Sequence, residues 1–255
     1  MRILASNDDG IHARGMRILV DCLIAWGEVF VVAPDRERSA TGHAITLHKP
    51  LRATPASVPV AGRIRAWATN GTPADCVVLG VVELLGERPD LVVSGINVGA
   101  NLGLDLTYSG TVSGAMEGAI LGIPSIAVSV AAFVDVRFDV AAAFVEQLAR
   151  AVATHPLPAD AVINVNVPNL PRERIRGVAL TRQSTRRYLA RLERRTDPRG
   201  RHYYWLTGER EPVGDREGTD GWAVARGYIS VTPIHLNMTD ERLLQDLASW
   251  GLTFP

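Results

Sequence analysis

Apolar positions along this chain fall into two kinds of run that take turns through its first two thirds. Short apolar-rich stretches at residues 2–5, 29–33, 90–94, 126–130 and 161–165 predict buried strands, the continuous run at 29–33 one buried on both faces. Between them lie segments with helical spacing. Met16, Leu19, Val20, Leu23 and Ile24 mark a helix over 16–26 that Gly27 closes. Thr72-Pro73-Ala74-Asp75 supplies an N-cap, a proline at the first helical position and an acid in the first turn, so a helix should run to Gly86. Further helices are expected over 111–121 and 139–153.

Strand–helix alternation with buried strands predicts an α/β fold: a Rossmann-like, mostly parallel sheet with helices on both faces. After Pro168 the periodicity weakens. Residues 170–220 are rich in Arg, Glu, Gly and Pro around Tyr203-Tyr204-Trp205, which suggests a β-hairpin or extended arm. A strand pattern returns at 227–233, and 239–250 reads as a short amphipathic helix. The expected division is a catalytic core over 1–168 and an arm, returning strand and tail helix over 169–255. That tail has little apolar support in what precedes it, so exchange with a partner subunit is expected.

At 255 residues, 47% of them hydrophobic, the chain can bury one large core with an appendage. Lys+Arg and Asp+Glu are both 27, so the formal net charge is zero and the basic field of a dedicated nucleic-acid binder is missing. Cys22 and Cys76 stand apart in apolar segments and read as buried free thiols. No charged start leads into a long apolar segment, and no apolar run could span a bilayer. A soluble, cytoplasmic protein without membrane contact is expected.

In an open α/β sheet, sites form at the carboxyl ends of strands. The first strand ends in Ser6-Asn7-Asp8-Asp9-Gly10, the second in a loop carrying Ser39, Gly42 and His43, and the third in Gly-Ile-Asn-Val-Gly-Ala-Asn-Leu-Gly at 95–103. Asp8 and Asp9 repel each other with no basic residue beside them, and a hard divalent cation with oxygen ligands would relieve that. Gly10 lets the backbone turn so that both carboxylates approach one ion; the plainer alternative is one helix cap and one solvated acid. The glycine loop could turn backbone N–H groups toward phosphate, and Asn97 could give a carbonyl oxygen to a metal or an amide to phosphate. Ser109, Gly110 and Thr111 open a helix, where hydroxyls and free N–H groups bind an anion or simply cap. His43 is a candidate acid or phosphate donor, or just an exposed loop residue. Arg182, Arg186, Arg187, Arg191, Arg194 and Arg195 could meet a polyanion, but Glu193, Asp197, Glu209 and Glu211 dilute them and favour a solvated arm.

Six runs, in order over nearly the whole chain, closely resemble the SurE family of survival-protein nucleotidases. They are Ser-Asn-Asp-Asp-Gly at 6–10, Ala-Pro-Asp-Arg-Glu-Arg-Ser-Ala-Thr-Gly-His at 33–43, Gly-Thr-Pro-Ala-Asp-Cys-Val at 71–77, Ser-Gly-Ile-Asn-Val-Gly-Ala-Asn-Leu-Gly at 94–103, Tyr-Ser-Gly-Thr-Val at 108–112 and Gly-Tyr-Ile-Ser-Val-Thr-Pro at 227–233. Ser113-Gly114 and Asn237 depart from the family's usual residues. The resemblance implies a phosphatase acting on nucleoside 5′-monophosphates, with 3′-monophosphates and short polyphosphate as further candidate substrates. It implies one Mg²⁺ or Mn²⁺ per subunit held by Asp8, Asp9, Ser39 and Asn97, and phosphate contacts from Asn7, Gly42, Asn97, Ser109, Gly110 and Thr111. It also implies a homodimer or homotetramer that exchanges its C-terminal extension. Two other classes compete: a regulatory module that binds nucleotide without turnover, and an RNA-associated protein using the arginine arm, which the zero net charge disfavours.

Overall fold

A computed structural model describes all residues but 61, 63, 159, 186, 187, 211–215, 254 and 255. Arg186, Arg187 and Glu211 of the arm therefore lie outside the described residues. Nine strands form one sheet in the order β3-β4-β2-β1-β5-β6-β7-β11-β8. Its centre is parallel: β1 (Arg2–Ser6) lies between β2 (Glu28–Pro34) and β5 (Leu91–Val98), and β6 (Ser125–Ala131) and β7 (Ala161–Pro168) follow. β4 (Arg65–Thr69) extends the parallel run beside β2, and the short β3 (Ala53–Pro55) closes that edge antiparallel to β4.

Alternation along the strands divides the core. Ile3, Ala5, Val29 and Val31 point to one face, where they pack with Met16, Leu19 and Leu23 of α1 (Arg14–Leu23) and with Val145 and Ala149 of α4 (Asp139–Thr154). Leu4, Phe30, Val32 and Val92 point to the other face and meet Cys76 and Val77 of α2 (Pro73–Leu79). On that same side Ala127 and Val162 meet Val112 and Ala115 of α3 (Gly110–Ile120). Strands with no solvent face are mostly apolar, and the buried polar residues among them, such as Ser129, Asn164 and Asn166, sit where they find hydrogen-bond partners.

Several boundaries move for identifiable reasons. α1 stops at Leu23, because Trp26 turns back, bonds Glu146 through Nε1 at 2.8 Å and lies under the Arg150 guanidinium. Thr72 and Asp75 form a full capping box at the start of α2, but the expected single helix changes at Gly80 into a π-helical turn over Gly80–Leu84. β5 runs on to Val98, past the expected loop start, with a register shift between Ser94 and Asn97.

The C-terminal region splits. β9 (Tyr188–Thr196) and β10 (His202–Arg210) form the expected hairpin as a separate two-stranded sheet. The returning strand β11 (Ile229–His235) instead enters the main sheet, antiparallel to β7 and parallel to β8 (Val178–Leu180), after the short helix α5 (Asp220–Ala225). The expectation that this strand lacks support within its own chain is therefore corrected: Ile229 and Val231 sit in the core. The last helix, α6 (Glu241–Ala248), buries none of its residues. Cys22 and Cys76 are free thiols. Among the described residues no helix is long and apolar enough to cross a membrane.

Candidate active site

Three chain segments meet at the carboxyl ends of β1, β2 and β5. After β1 the chain bends sharply at Gly10, where φ is +99°, and Asn7 Nδ2 donates to the Gly10 carbonyl at 2.9 Å to close the turn. The Arg38 amide donates to the Asp8 carbonyl at 2.7 Å, which joins the loop after β2 to this turn.

Asp8 is buried at the start of α3. Thr111 Oγ1 donates to its Oδ1 at 2.5 Å. Gly110 makes this approach possible, since a Cβ there would stand 2.7 Å from Asp8 Cβ. Burial pushes the Asp8 carboxyl above its ordinary range, against the lowering effect of the Thr111 bonds. Asp9 is the less buried of the two and is not among the residues lining the cleft; its Oδ2 accepts from the Val98 amide at 3.4 Å. Burial, and then the charge of Asp8, push its carboxyl up to about 6. Among the described residues no Arg, Lys or His pairs with either acid, and Glu37 adds a further negative charge.

Asn97 Nδ2 donates to the Gly99 carbonyl at 2.8 Å, which commits the nitrogen and leaves the side-chain oxygen as the free donor atom. Ser39 Oγ donates to Glu37 Oε1 at 2.6 Å. Asp8, Ser39, Asn97 and Ser109 line one open cleft of about 200 Å³ with Ala100, Asn101, Asp105, Tyr108 and Phe133. Among the described residues no three of His, Cys, Asp and Glu converge. The available set is two carboxylates completed by hydroxyl and amide oxygens, which suits a hard divalent cation. Asn7 Oδ1, buried without a hydrogen-bond partner among the described residues, is a further oxygen at the same turn. The residues present thus fit the ion the sequence called for.

Not every expected contact is open to a ligand. Thr111 is fully buried and spent on Asp8, so it holds a carboxylate in place. Gly42 is outside the cleft lining and its amide donates to the Tyr108 carbonyl at 3.0 Å. Ser109 caps α3 by accepting from the Val112 amide at 3.1 Å, and the same residue borders the cleft. His43 is not among the lining residues and pairs through Nε2 with Glu117 Oε2 at 2.7 Å.

The model of the family described as Survival protein SurE matches residues 3–190. The chain belongs to the SurE family. It is 53% identical over 250 residues to the 5′-nucleotidase SurE of Heliobacterium modesticaldum, covering 98% of this chain and 92% of that one. With the 5′-nucleotidase SurE of Geobacter metallireducens it shares 50% over 251 residues, covering 98% and 97%. The crystal structure of a SurE protein from Aquifex aeolicus superposes with a TM-score of 0.84 at 44% identity, covering 98% of this chain and 99% of that one. Within this SurE fold, sequence reasoning missed Asn101, Asp105, Tyr108 and Phe133. Phe133 follows the carboxyl end of β6, so carrying the strand-end rule one strand further would have found it.

Proposed function

We propose that this chain is a divalent-cation-dependent phosphomonoesterase that hydrolyses nucleoside 5′-monophosphates to nucleoside and phosphate. The observation that carries the reading is the uncompensated Asp8–Asp9 pair after β1, with Asp8 at the start of α3 facing a glycine-rich loop across a polar cleft and Asp9 against the Val98 amide beside it. Asp8, Asp9, Ser39 and Asn97 would hold Mg²⁺ or Mn²⁺, which supplies Lewis-acid neutralisation of phosphoryl charge. Asp8 is fixed by Thr111, so it sets position. Asp9 is the more open carboxylate and takes either the proton of an attacking water or the phosphoryl group itself. The Ala100 backbone N–H and the Ser109 hydroxyl stabilise the equatorial oxygens during in-line attack.

Tyr108 and Phe133, 65% and 68% exposed, border the same cleft and offer aromatic faces to a nucleobase. The polar groups grip only the phosphoryl end, which extends the proposal to 3′-monophosphates and short polyphosphate. Residues 1–168 carry the catalytic groups, and 169–255 supply the surface that assembles copies of the chain. Two free thiols suit a reducing compartment, so we place the protein in the cytoplasm.

The test is phosphate release from 5′- and 3′-monophosphates and short polyphosphate with Mn²⁺, Mg²⁺ or EDTA. Release should require metal and should fall by about 100-fold or more in Asp8→Asn. Nucleotide binding without release in the folded wild type would favour the regulatory module instead.

A further inference from the structure

The glycine loop is held from behind by residues that no catalytic role accounts for. Asn166 of β7 clamps the Asn101 peptide on both sides: its Oδ1 accepts from the Asn101 amide at 2.8 Å and its Nδ2 donates to the Asn101 carbonyl at 2.9 Å. Asn164 Nδ2 adds a second donor to that carbonyl at 3.0 Å, and the Asn101 side chain donates to Ser129 of β6 at 2.8 Å. All four side chains are buried.

Two residues further on, the same is done from the C-terminal region. Asp220, fully buried at the start of α5, accepts from the Gly103 amide through Oδ2 at 2.8 Å. Its Oδ1 accepts from the Ser184 amide at 3.0 Å and the Gly221 amide at 2.7 Å. Gln183 Nε2 donates to the Gly103 carbonyl at 2.9 Å. Both peptide groups that close the loop are therefore tied at nitrogen and oxygen, by side chains remote in sequence. A buried carboxylate is costly to keep unless backbone donors satisfy it, and here one of three belongs to the loop.

We propose that Asp220 and Asn166 are positioning residues that lock the 99–103 loop after β5, so that Asn97, whose side chain bonds the Gly99 carbonyl, meets the cation and the Ala100 amide meets phosphate. The inference rests on the phosphatase reading for its chemistry, but on these hydrogen bonds for its mechanism. It makes the C-terminal region part of the catalytic unit as well as of the assembly surface.

Asp220→Asn in the full chain is the decisive variant. The amide keeps the shape but can satisfy only one side; with its oxygen on Ser184 and Gly221, its NH₂ opposes the Gly103 N–H. Mn²⁺ binding measured by calorimetry should weaken about tenfold, and kcat for a nucleoside monophosphate should fall about tenfold or more. Gln183→Ala, a milder cut to the other side of Gly103, should move both in the same direction and keeps the test alive if Asp220→Asn does not fold. Ile234→Ala, which only removes packing from β11, serves as the stability control. Equal loss of melting temperature with Mn²⁺ affinity lowered only in the lock variants supports the lock. Unchanged Mn²⁺ affinity and kcat in both lock variants, or the same change in Ile234→Ala, would overturn it. A wild type that binds Mn²⁺ but releases no phosphate would sink the phosphatase reading alone, because the Mn²⁺ comparison still decides the lock.

Discussion

At Gly110 the absence of one carbon determines whether Asp8 can reach the start of α3. Alanine there would meet no backbone strain, because Gly110 opens α3 without a positive φ. Its Cβ would nevertheless come within 2.9 Å of Asp8 Oδ2, and Thr111 Oγ1 already fixes the other oxygen. Gly110→Ala should therefore cost at least about tenfold in kcat with little change in melting temperature, read from phosphate release and thermal unfolding. A fully active variant would show that Asp8 has room to move. The thiols make the opposite case, of groups kept out of chemistry. Burial pushes Cys22 and Cys76 from near 9 up to about 12. The unfolded chain then releases these protons first, so stability falls as pH rises from about 9 toward 12 and is unaffected below that. Iodoacetamide at pH 8 should leave both thiols unlabelled in the folded protein and label both in urea. The carboxylate pair itself was legible in the sequence because two adjacent acids without a cation are unusual chemistry. The hydrogen-bond partners of Asn101 and Gly103 were not, since Asn166 and Asp220 are 65 and 117 residues away from the groups they hold.

Among elements, the ones that could be read were those whose local preference and final environment agree. β1 and β2 carry apolar residues on both faces because helices cover both, and β6 and β7 interrupt the same pattern only with serines and asparagines. α2 begins where Thr72, Pro73 and Asp75 say it should. β5 misled at its end because Ser94, Gly95 and Asn97 look like a loop, yet Asn97 and Val98 pair with Ser129 and Val130 of β6. That continuation carries Asn97 out to the site on a ladder of hydrogen bonds, more firmly than a free loop would. α1 begins at Arg14 despite Gly15 in its first turn, since a Cβ at Gly15 would meet the Ile96 carbonyl at 2.0 Å. Helix propensity yields there to close packing on the strand that bears the site. β4, with Arg65, Ala66, Trp67, Ala68 and Thr69, has no strong pattern of its own and is a strand because β2 offers it a parallel edge.

For the molecule as a whole, the division of its exposed apolar surface points to assembly. The hairpin presents Leu192, Tyr204, Trp205 and Leu206, and α6 presents Leu243 and Leu244 with Trp250 beyond it, all about half exposed or more. A 255-residue chain with a filled core has no internal use for such surfaces, and a second copy of the same chain would cover them. A cut at residue 222 would take β11 out of the nine-stranded sheet and report on folding instead. Removing 238–255 deletes α6 alone, after the last core residue, and leaves every proposed catalytic and positioning group in place. By light scattering the full chain should run as a dimer or tetramer and the shortened chain as a smaller species. Phosphate release per chain should stay within about twofold of the wild type, because the lock on Gly103 lies in α5 and not in α6. An unchanged oligomer would assign assembly to the hairpin, whereas lost activity in a smaller but folded species would mean that the cleft is completed across the interface.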